Sequence, residues 1–380
     1  MKATGKLISI ILALLMLTGI VSVMGMTASA GGAGGDLDIH KSGTFTYSLI
    51  GKENNEAEIC GVTDFSVSEL EIPSSIDGHT VTSISGIDED SRFSGCRRLQ
   101  KVTLPNTLTF IGSDAFSGCA SITEITIPKG VKRIRNSAFE NCTALSSVTF
   151  NSDLEEIYFD AFKGCKALNK ISLPDGIKDI GYDAFSDTGF SASAANWDGS
   201  VLYSGKYLLS TVQKNVTEEY TVKNGTTLIA DRAFMGCTKL KKVDLGSAMK
   251  YVGDEAFYFC TGLTTVTIPA SVVEIGAGAF IECRSLTDVN YGGTEEQRSK
   301  IDISIQNEKL TNATWHYSAA QSGGFNLASI LNMLMSLFSS VTNNGNQNQN
   351  GTGSFDISAL VTAAQAIIQL VSTLVSSMSK

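Results

Sequence analysis

Phenylalanine recurs in this chain at a fixed step. Phe93, Phe116, Phe139, Phe162 and Phe185 stand 23 residues apart, and after a gap of 49, which is 23 plus 26, Phe234, Phe257 and Phe280 resume the step. Ala precedes each of them except Phe93, where Arg92 takes its place. A period of this size makes each unit one supersecondary element that buries its apolar face only by stacking on its neighbours.

The rest of the unit keeps register. Leu or Ile follows six residues after each Phe, from Leu99 to Leu286, failing only at Ser191. In the same seven units Val or Ile stands nine after (Val102 to Val289) and a further apolar residue eleven after (Leu104 to Tyr291). Four of the five prolines, Pro105, Pro128, Pro174 and Pro269, fall twelve after the Phe, and Pro73 follows the similar Leu70-Glu71-Ile72. The L-x-x-V-x-I segment ends in the alternation of a half-buried strand. Proline directly after it stops the ladder, since it has no N–H. Ala-Phe-x-x-Cys, small then bulky, suits a tight turn on the opposite wall. Each unit therefore reads as one coil of a solenoid, unable to fold alone and dependent on caps at its ends.

The combined pattern, L-x-x-V-x-I-P followed by V-x-x-I-G-x-x-A-F-x-x-C, resembles the BspA-type leucine-rich repeats of bacterial surface and secreted proteins over residues 84–292. That resemblance implies a β-rich curved solenoid with a parallel sheet on its concave side, used for binding rather than catalysis and in related proteins for adhesion. It transfers no residue-level role. The expected fold is a repeat solenoid of about eight 23-residue coils, with one β insert and a C-terminal helical hairpin.

Seven of the eight cysteines, Cys96, Cys119, Cys142, Cys165, Cys237, Cys260 and Cys283, lie three residues after the repeat Phe, and Cys60 stands outside. Equivalent residues of stacked coils sit about 4.8 Å apart, so distance permits a disulfide. Their parallel orientation does not. A straight ladder also cannot converge four thiolates on one metal. The sequence thus predicts a column of buried, unpaired thiols packing as small apolar groups, broken where Thr188 replaces the cysteine.

Residues 1–30 have the three parts of a secretory signal: Lys2 and Lys6, an apolar run from Leu7 to about Met26, then Ala28-Ser29-Ala30. A single membrane anchor is the competing reading. Cleavage would leave 350 residues with 27 basic and 38 acidic side chains, a net of about −11. This charge argues against nucleic acid and against anionic membranes as electrostatic partners.

Residues 31–83 read as a leader and N-terminal cap, 293–317 as a C-terminal cap, and 189–227 as an insert. The insert carries the turn pairs Asp198-Gly199 and Asn224-Gly225, which predict a small antiparallel sheet. Its Trp197, Tyr203, Tyr207 and Tyr220 are either an aromatic binding patch or the insert's own core. From residue 318 onward only Asp356 and Lys380 are charged. Apolar residues at helical spacing over 325–341 and 357–378 flank an Asn/Gln/Gly-rich spacer. These two helices are expected to dock on the solenoid end, to join copies of the protein, or to enter a lipid interface.

No catalytic motif is present: there is no G-x-x-x-x-G-K-[ST], H-E-x-x-H or C-x-x-C, and His40, His79 and His316 lie far apart along the chain. The sequence suggests no catalytic residue, cofactor or metal ligand. The candidate partner is a protein or cell-surface ligand. Its candidate face is the exposed alternate positions of the repeat strands: Lys101 and Thr103, Glu124 and Thr126, Ser147 and Thr149, Lys170 and Ser172, Lys242 and Asp244, Thr265 and Thr267, Asp288 and Asn290. The same residues equally fit a merely solvated sheet face, where Thr suits strand geometry.

Overall fold

The computed structural model describes residues 38–86, 93 and 96–318. The signal-like segment and the two apolar segments of the tail lie outside them. The described residues form two compact units. One runs as far as Leu154 and includes Gly164–Ala167; the other comprises Glu155–Lys163 and continues from Leu168. Each is a parallel-sheet β-solenoid, with about 11 turns in all. The surplus over the eight coils counted from phenylalanine comes from rungs without a register Phe, at Glu69–Glu71, Glu219–Thr221 and Thr314–Tyr317.

The first unit starts with an antiparallel meander, Ile39–Ser42, Phe45–Ile50 and Glu56–Val62. The last of these strands also pairs parallel with His79–Ile84, which passes the ladder on to Phe110–Ile111 and Arg133–Ile134. A second sheet is made by the V-x-I segments in the order Ser147–Thr149, Glu124–Thr126, Lys101–Thr103, Glu69–Glu71. Its first rung therefore falls inside the stretch read as a cap.

In the second unit Glu156–Ile157 pairs parallel with Asp179–Ile180. The insert follows as predicted: Trp197–Asp198, Val201–Ser204 and Tyr207–Thr211 form an antiparallel meander. Its last strand then pairs parallel with Leu228–Ile229, which continues through Tyr251–Val252, Glu274–Ile275 and Asp302–Ile303. The unit's other sheet is five-stranded, in the order Glu219–Thr221, Lys242–Asp244, Thr265–Ile268, Asp288–Tyr291, Thr314–Tyr317.

The register residues form the core. Phe116 lies 5.1 Å from Phe93 and 5.5 Å from Phe139, centroid to centroid; in the second unit Phe257 lies 5.0 Å from Phe234 and 5.1 Å from Phe280. All six rings are fully buried. Around each Phe the chain makes tight turns, Cys119 N–H donating to Phe116 O (3.1 Å) and Ile122 N–H to Cys119 O (3.3 Å). Proline carbonyls serve the next turn, since Val131 N–H donates to Pro128 O and Val272 N–H to Pro269 O.

Two left-handed residues per coil make these turns possible. Two positions before the Phe stand Asp114, Ser137, Asp160, Asp183, Arg232 and Glu255, all with φ between 53° and 58°. Two positions after it stand Gly118, Asn141, Gly164, Asp187, Gly236, Phe259 and Glu282, again with positive φ. Gly, Asn and Asp tolerate this conformation, whereas other residues lose roughly 1–2 kcal/mol in it. Phe259, at φ 60° and 42 % exposed, is the outlier in kind.

All eight cysteines are buried and none is bonded to another. The structure adds a role that apolar packing left out. Sγ of Cys119, Cys142 and Cys165 donates to the carbonyl of Phe93, Phe116 and Phe139, each 3.1 Å away and one coil back. Cys260 and Cys283 do the same to Phe234 and Phe257 at 3.0 and 3.1 Å. The thiol column thus gives a second donor to carbonyls that already accept the Cys N–H of their own turn, filling both lone pairs of each oxygen. Burial pushes Cys96 up to about 11 and Cys165 and Cys283 up to about 12, away from the thiolate that exchange chemistry needs. Cys237 moves the other way because of its hydrogen bond with Cys260, yet it is 1 % exposed. Native, unreduced protein is expected to show no thiol titre, and denaturation without reductant to release all eight. A titre near zero after denaturation would mean that the column is oxidised.

Candidate binding face

In each repeat strand the central residue turns inward and its neighbours outward. Val102, Ile125, Val243, Val266 and Val289 are buried. Lys101, Thr103, Glu124, Thr126, Ser147, Thr149, Lys242 and Asn290 are exposed, while Asp244, Thr265, Thr267 and Asp288 are half-buried. Lys170 and Ser172 are exposed too, but residues 170–172 form no strand, which corrects the expected position of this pair. The carbonyl of Ile171, between them, accepts the Ser204 hydroxyl of the insert at 3.3 Å.

The strand registers sort the face into columns. In the first unit Glu69, Lys101, Glu124 and Ser147 form one column and Glu71 and Thr103 begin the other, with Thr126 beside Thr149. In the second unit the columns are Glu219, Lys242, Thr265, Asp288, Thr314 and Thr221, Asp244, Thr267, Asn290, His316. Two polar pairs run from rung to rung. Lys242 Nζ lies 2.8 Å from Glu219 Oε1, and His316 Nε2 lies 2.7 Å from Asp288 Oδ1. The hydrogen bond from Lys242 holds the Glu219 carboxyl below its usual range, as that with His316 does for Asp288. Such exposed pairs add little stability, and the face stays acidic on balance, Glu219, Asp244 and Asp288 standing against Lys242, with Thr265 and Thr267 at its centre. It offers hydroxyl and carboxyl groups at the strand spacing of about 4.8 Å, a pattern suited to polar recognition of a protein surface.

Glu69, Glu71, Glu219, Thr221, Thr314 and His316 belong to these columns and are absent from the set read from sequence. Two of them were within reach of the register: Glu219 stands 23 residues before Lys242, and Leu70-Glu71-Ile72-Pro73 has the strand-ending motif.

The insert's aromatics are core. Tyr203 and Tyr207 are 6 % and 2 % exposed. The Tyr203 and Tyr220 hydroxyls lie 2.7 Å apart, Tyr207 donates to the Pro174 carbonyl, and Trp197 Nε1 donates to Ser191 O. Tyr207 thereby ties the meander to the coil before it, and the other two bonds hold the insert together.

The N-terminal meander brings His40, Ser42 and Tyr47 up to Asp77, which lies 30 residues beyond Tyr47 along the chain. Ser42 and Tyr47 donate to the two oxygens of Asp77 at 2.8 and 2.9 Å, and the His40 and Tyr47 rings lie 5.2 Å apart. Nucleophilic catalysis requires a hydroxyl facing a base. Ser42 instead faces a carboxylate that its own hydrogen bond holds low.

A second cluster lies on the other sheet of the second unit. Asp231 Oδ1 accepts Asp254 N–H at 2.7 Å, and Asp254 Oδ1 accepts Ala277 N–H at 2.6 Å, a carboxylate ladder one coil per step. Asp179 sits beside Glu156 in register. Burial, then the charges of Asp254, Glu156 and Glu274, push Asp179 up to about 7. Burial, then Asp179 and Asp254, raise Asp231 as well. Among the described residues no group of three His, Cys, Asp or Glu side chains has a geometry that could hold a metal ion. No described helix is long and apolar enough to cross a membrane.

A family model described as the BspA type leucine rich repeat region matches residues 64–193 and 210–318 in six copies. Solved structures are similar at low identity. A leucine-rich cell surface protein of Faecalibacterium prausnitzii is 20 % identical with a TM-score of 0.28, over 70 % of this chain and 97 % of that one. The leucine-rich repeat protein of T. pallidum is 20 % identical with a TM-score of 0.26, over 73 % and 97 %. The pneumococcal vaccine antigen PcpA is 17 % identical with a TM-score of 0.33, over 79 % and 96 %. No curated protein matches the chain significantly.

Proposed function

The chain belongs to the BspA-type leucine-rich repeat family, and from that premise we propose that it is an extracellular, non-catalytic binding protein that presents its repeat strands to a protein on host tissue or a neighbouring cell. The observation carrying this reading is the pair of exposed polar columns on a parallel sheet in each unit. A surface of this kind selects partners by shape and hydrogen bonding, and its acidic balance disfavours acidic partners. Export rests on the three-part segment at residues 1–30, and the family's use of the fold as a binding scaffold supports a role without chemistry.

The test is binding of the full mature chain to immobilised extracellular-matrix proteins and to intact epithelial cells. Thr126→Arg with Thr149→Arg, and Thr265→Arg with Thr267→Arg, insert bulk and charge into one sheet each while leaving the inward residues alone. One of the two pairs is expected to weaken saturable binding by at least about tenfold, a loss of about 1.4 kcal/mol. Unchanged affinity in both would remove the strand face from the reading. No saturable binding by the unmodified chain would remove the adhesive role altogether.

A second reading draws on the tail, where residues 318–380 carry only Asp356 and Lys380 as charges. In it the protein is a self-assembling envelope component and the strand face is passive. Deletion of 318–380 would then abolish assembly seen by ultracentrifugation, and a mature chain already monomeric would sink it.

A further inference from the structure

The turn wall of the last coils is apolar where the preceding coils are polar. The residue after the repeat Phe is Ser117, Glu140, Lys163 and Ser186 in successive coils, then Met235, Tyr258 and Ile281 in the last three. The wall is continuous, since Gly236 N–H donates to Tyr258 O at 2.7 Å and Phe259 N–H to Ile281 O at 3.1 Å. Met235, Tyr258 and Ile281 are half-exposed. Phe259 and, two coils on, Ile305 are 42 % and 62 % exposed. A depression of about 420 Å³ adjoins them, lined by Ile281, Glu282, Arg284, Gln306, Glu308 and Lys309.

Phe259 argues that this wall is meant to be covered. Its backbone is left-handed at φ 60°, where the equivalent positions of other coils hold Gly118, Asn141, Gly164, Asp187, Gly236 and Glu282, none of them bulky and apolar. A phenylalanine there gives up about 1–2 kcal/mol of backbone energy and regains little by burial within the solenoid. Strain of this kind persists where it serves a site.

We propose that the wall formed by Met235, Tyr258, Phe259, Ile281 and Ile305 is the docking site for residues 325–341 of the same chain. Three observations choose this occupant. The described chain ends on these same coils, where Ser318 N–H donates to Tyr291 O at 3.0 Å. The six residues 319–324 then reach about 20 Å when extended, or about four rungs along the stack at the strand spacing, enough to pass the coils that carry the wall. Residues 325–341 carry no charge, and Leu327, Ile330, Leu331, Leu334 and Phe338 recur among them at helical spacing. Two pairs of charges bordering the wall already satisfy each other, Arg284 with Glu282 and Arg232 with Glu255, each at 2.6 Å. An uncharged helix laid on the wall therefore strands none of them. This is the helix-in-groove mode of recognition used within one chain.

The experiment uses the full mature chain with a photoreactive benzophenone amino acid replacing Phe259, mixed as equal parts of unlabelled and nitrogen-15-labelled protein. After irradiation and digestion, the dominant cross-link is expected to join residue 259 to a peptide of 325–341 with both ends from the same isotope pool. Mixed-isotope cross-links would make a second copy the occupant, and cross-links confined to the solenoid would leave the wall bare; either overturns the proposal. Phe259→Gly supplies a second readout, since glycine suits the left-handed backbone and the coil stays folded. Cleavage of the tail under limited proteolysis is expected to accelerate about tenfold, and an unchanged rate would count against docking.

Discussion

Phe257→Ala is expected to destabilise the second unit by about 3–5 kcal/mol, the range for deleting a fully buried aromatic ring. Both faces of this ring are in contact, with Phe234 at 5.0 Å and Phe280 at 5.1 Å. The cavity would therefore open in the middle of the ring column, between the coils of Phe234 and Phe280. In a solenoid each coil is stabilised chiefly by the next, so the loss passes along the stack as weakened interfaces. Chemical denaturation followed by circular dichroism measures it. Phe65→Ala, at a ring 40 % exposed, is the matched control and is expected to change stability by less than about 0.5 kcal/mol. Equal effects at the two sites would show that the phenylalanine column is not the core.

Acid is expected to stabilise the second unit over the range in which most proteins are indifferent to it. Asp179 is pushed up to about 7 and Asp231 is raised too, burial being the leading cause at both. A carboxyl whose folded value exceeds its unfolded value binds more protons in the native state. The penalty for ionising it inside the fold is complete above the folded value and is relieved as pH falls towards the unfolded value near 4. Each unit of displacement corresponds to about 1.4 kcal/mol. The opposing groups of this unit, Asp175, Glu219 and Asp288, are held low by hydrogen bonds from Lys206, Lys242 and His316, and lose their contribution only at still lower pH. The thermal midpoint should accordingly be higher at pH 5.5 than at pH 8. Asp179→Asn with Asp231→Asn should flatten the difference, because asparagine keeps the oxygen that accepts Asp254 N–H. A midpoint that falls between pH 8 and pH 5.5 would contradict the sign.

The architecture was legible in the sequence because its signals are local and repeated. Phe, Leu, Val and Pro each recur at fixed offsets, and a fold built from equivalent coils needs little more. The strand face was less so, and Lys170 and Ser172 show why. The run Leu168-Asn169-Lys170-Ile171-Ser172-Leu173-Pro174 fits the motif at every position, yet the backbone there is irregular, with Ile171 half-exposed. The cause lies some 30 residues on: Ser204 and Tyr207 of the insert take the carbonyls of Ile171 and Pro174. Long-range competition of that sort leaves no periodic trace. The carboxylate cluster was hidden for a related reason. Asp179, Asp231 and Asp254 are separated by the insert along the chain and meet only because the stack closes over it. The thiols were placed correctly but read as inert filling, since a sulfhydryl's hydrogen bond to a carbonyl one coil away appears only when the turn geometry is known.

The hydrogen bonds of the solenoid, backbone and thiol alike, run mostly from one coil to the next. That gives the molecule a mechanical character. A coil occupies about 4.8 Å along the stack but contains 23 residues, about 80 Å of chain when drawn straight. Tension applied along the stack would peel strands one rung at a time instead of shearing a whole sheet at once. Each released rung lengthens the tether more than fifteenfold over the height it had filled. Under flow, such a chain yields in small steps while the coils still folded keep their faces intact.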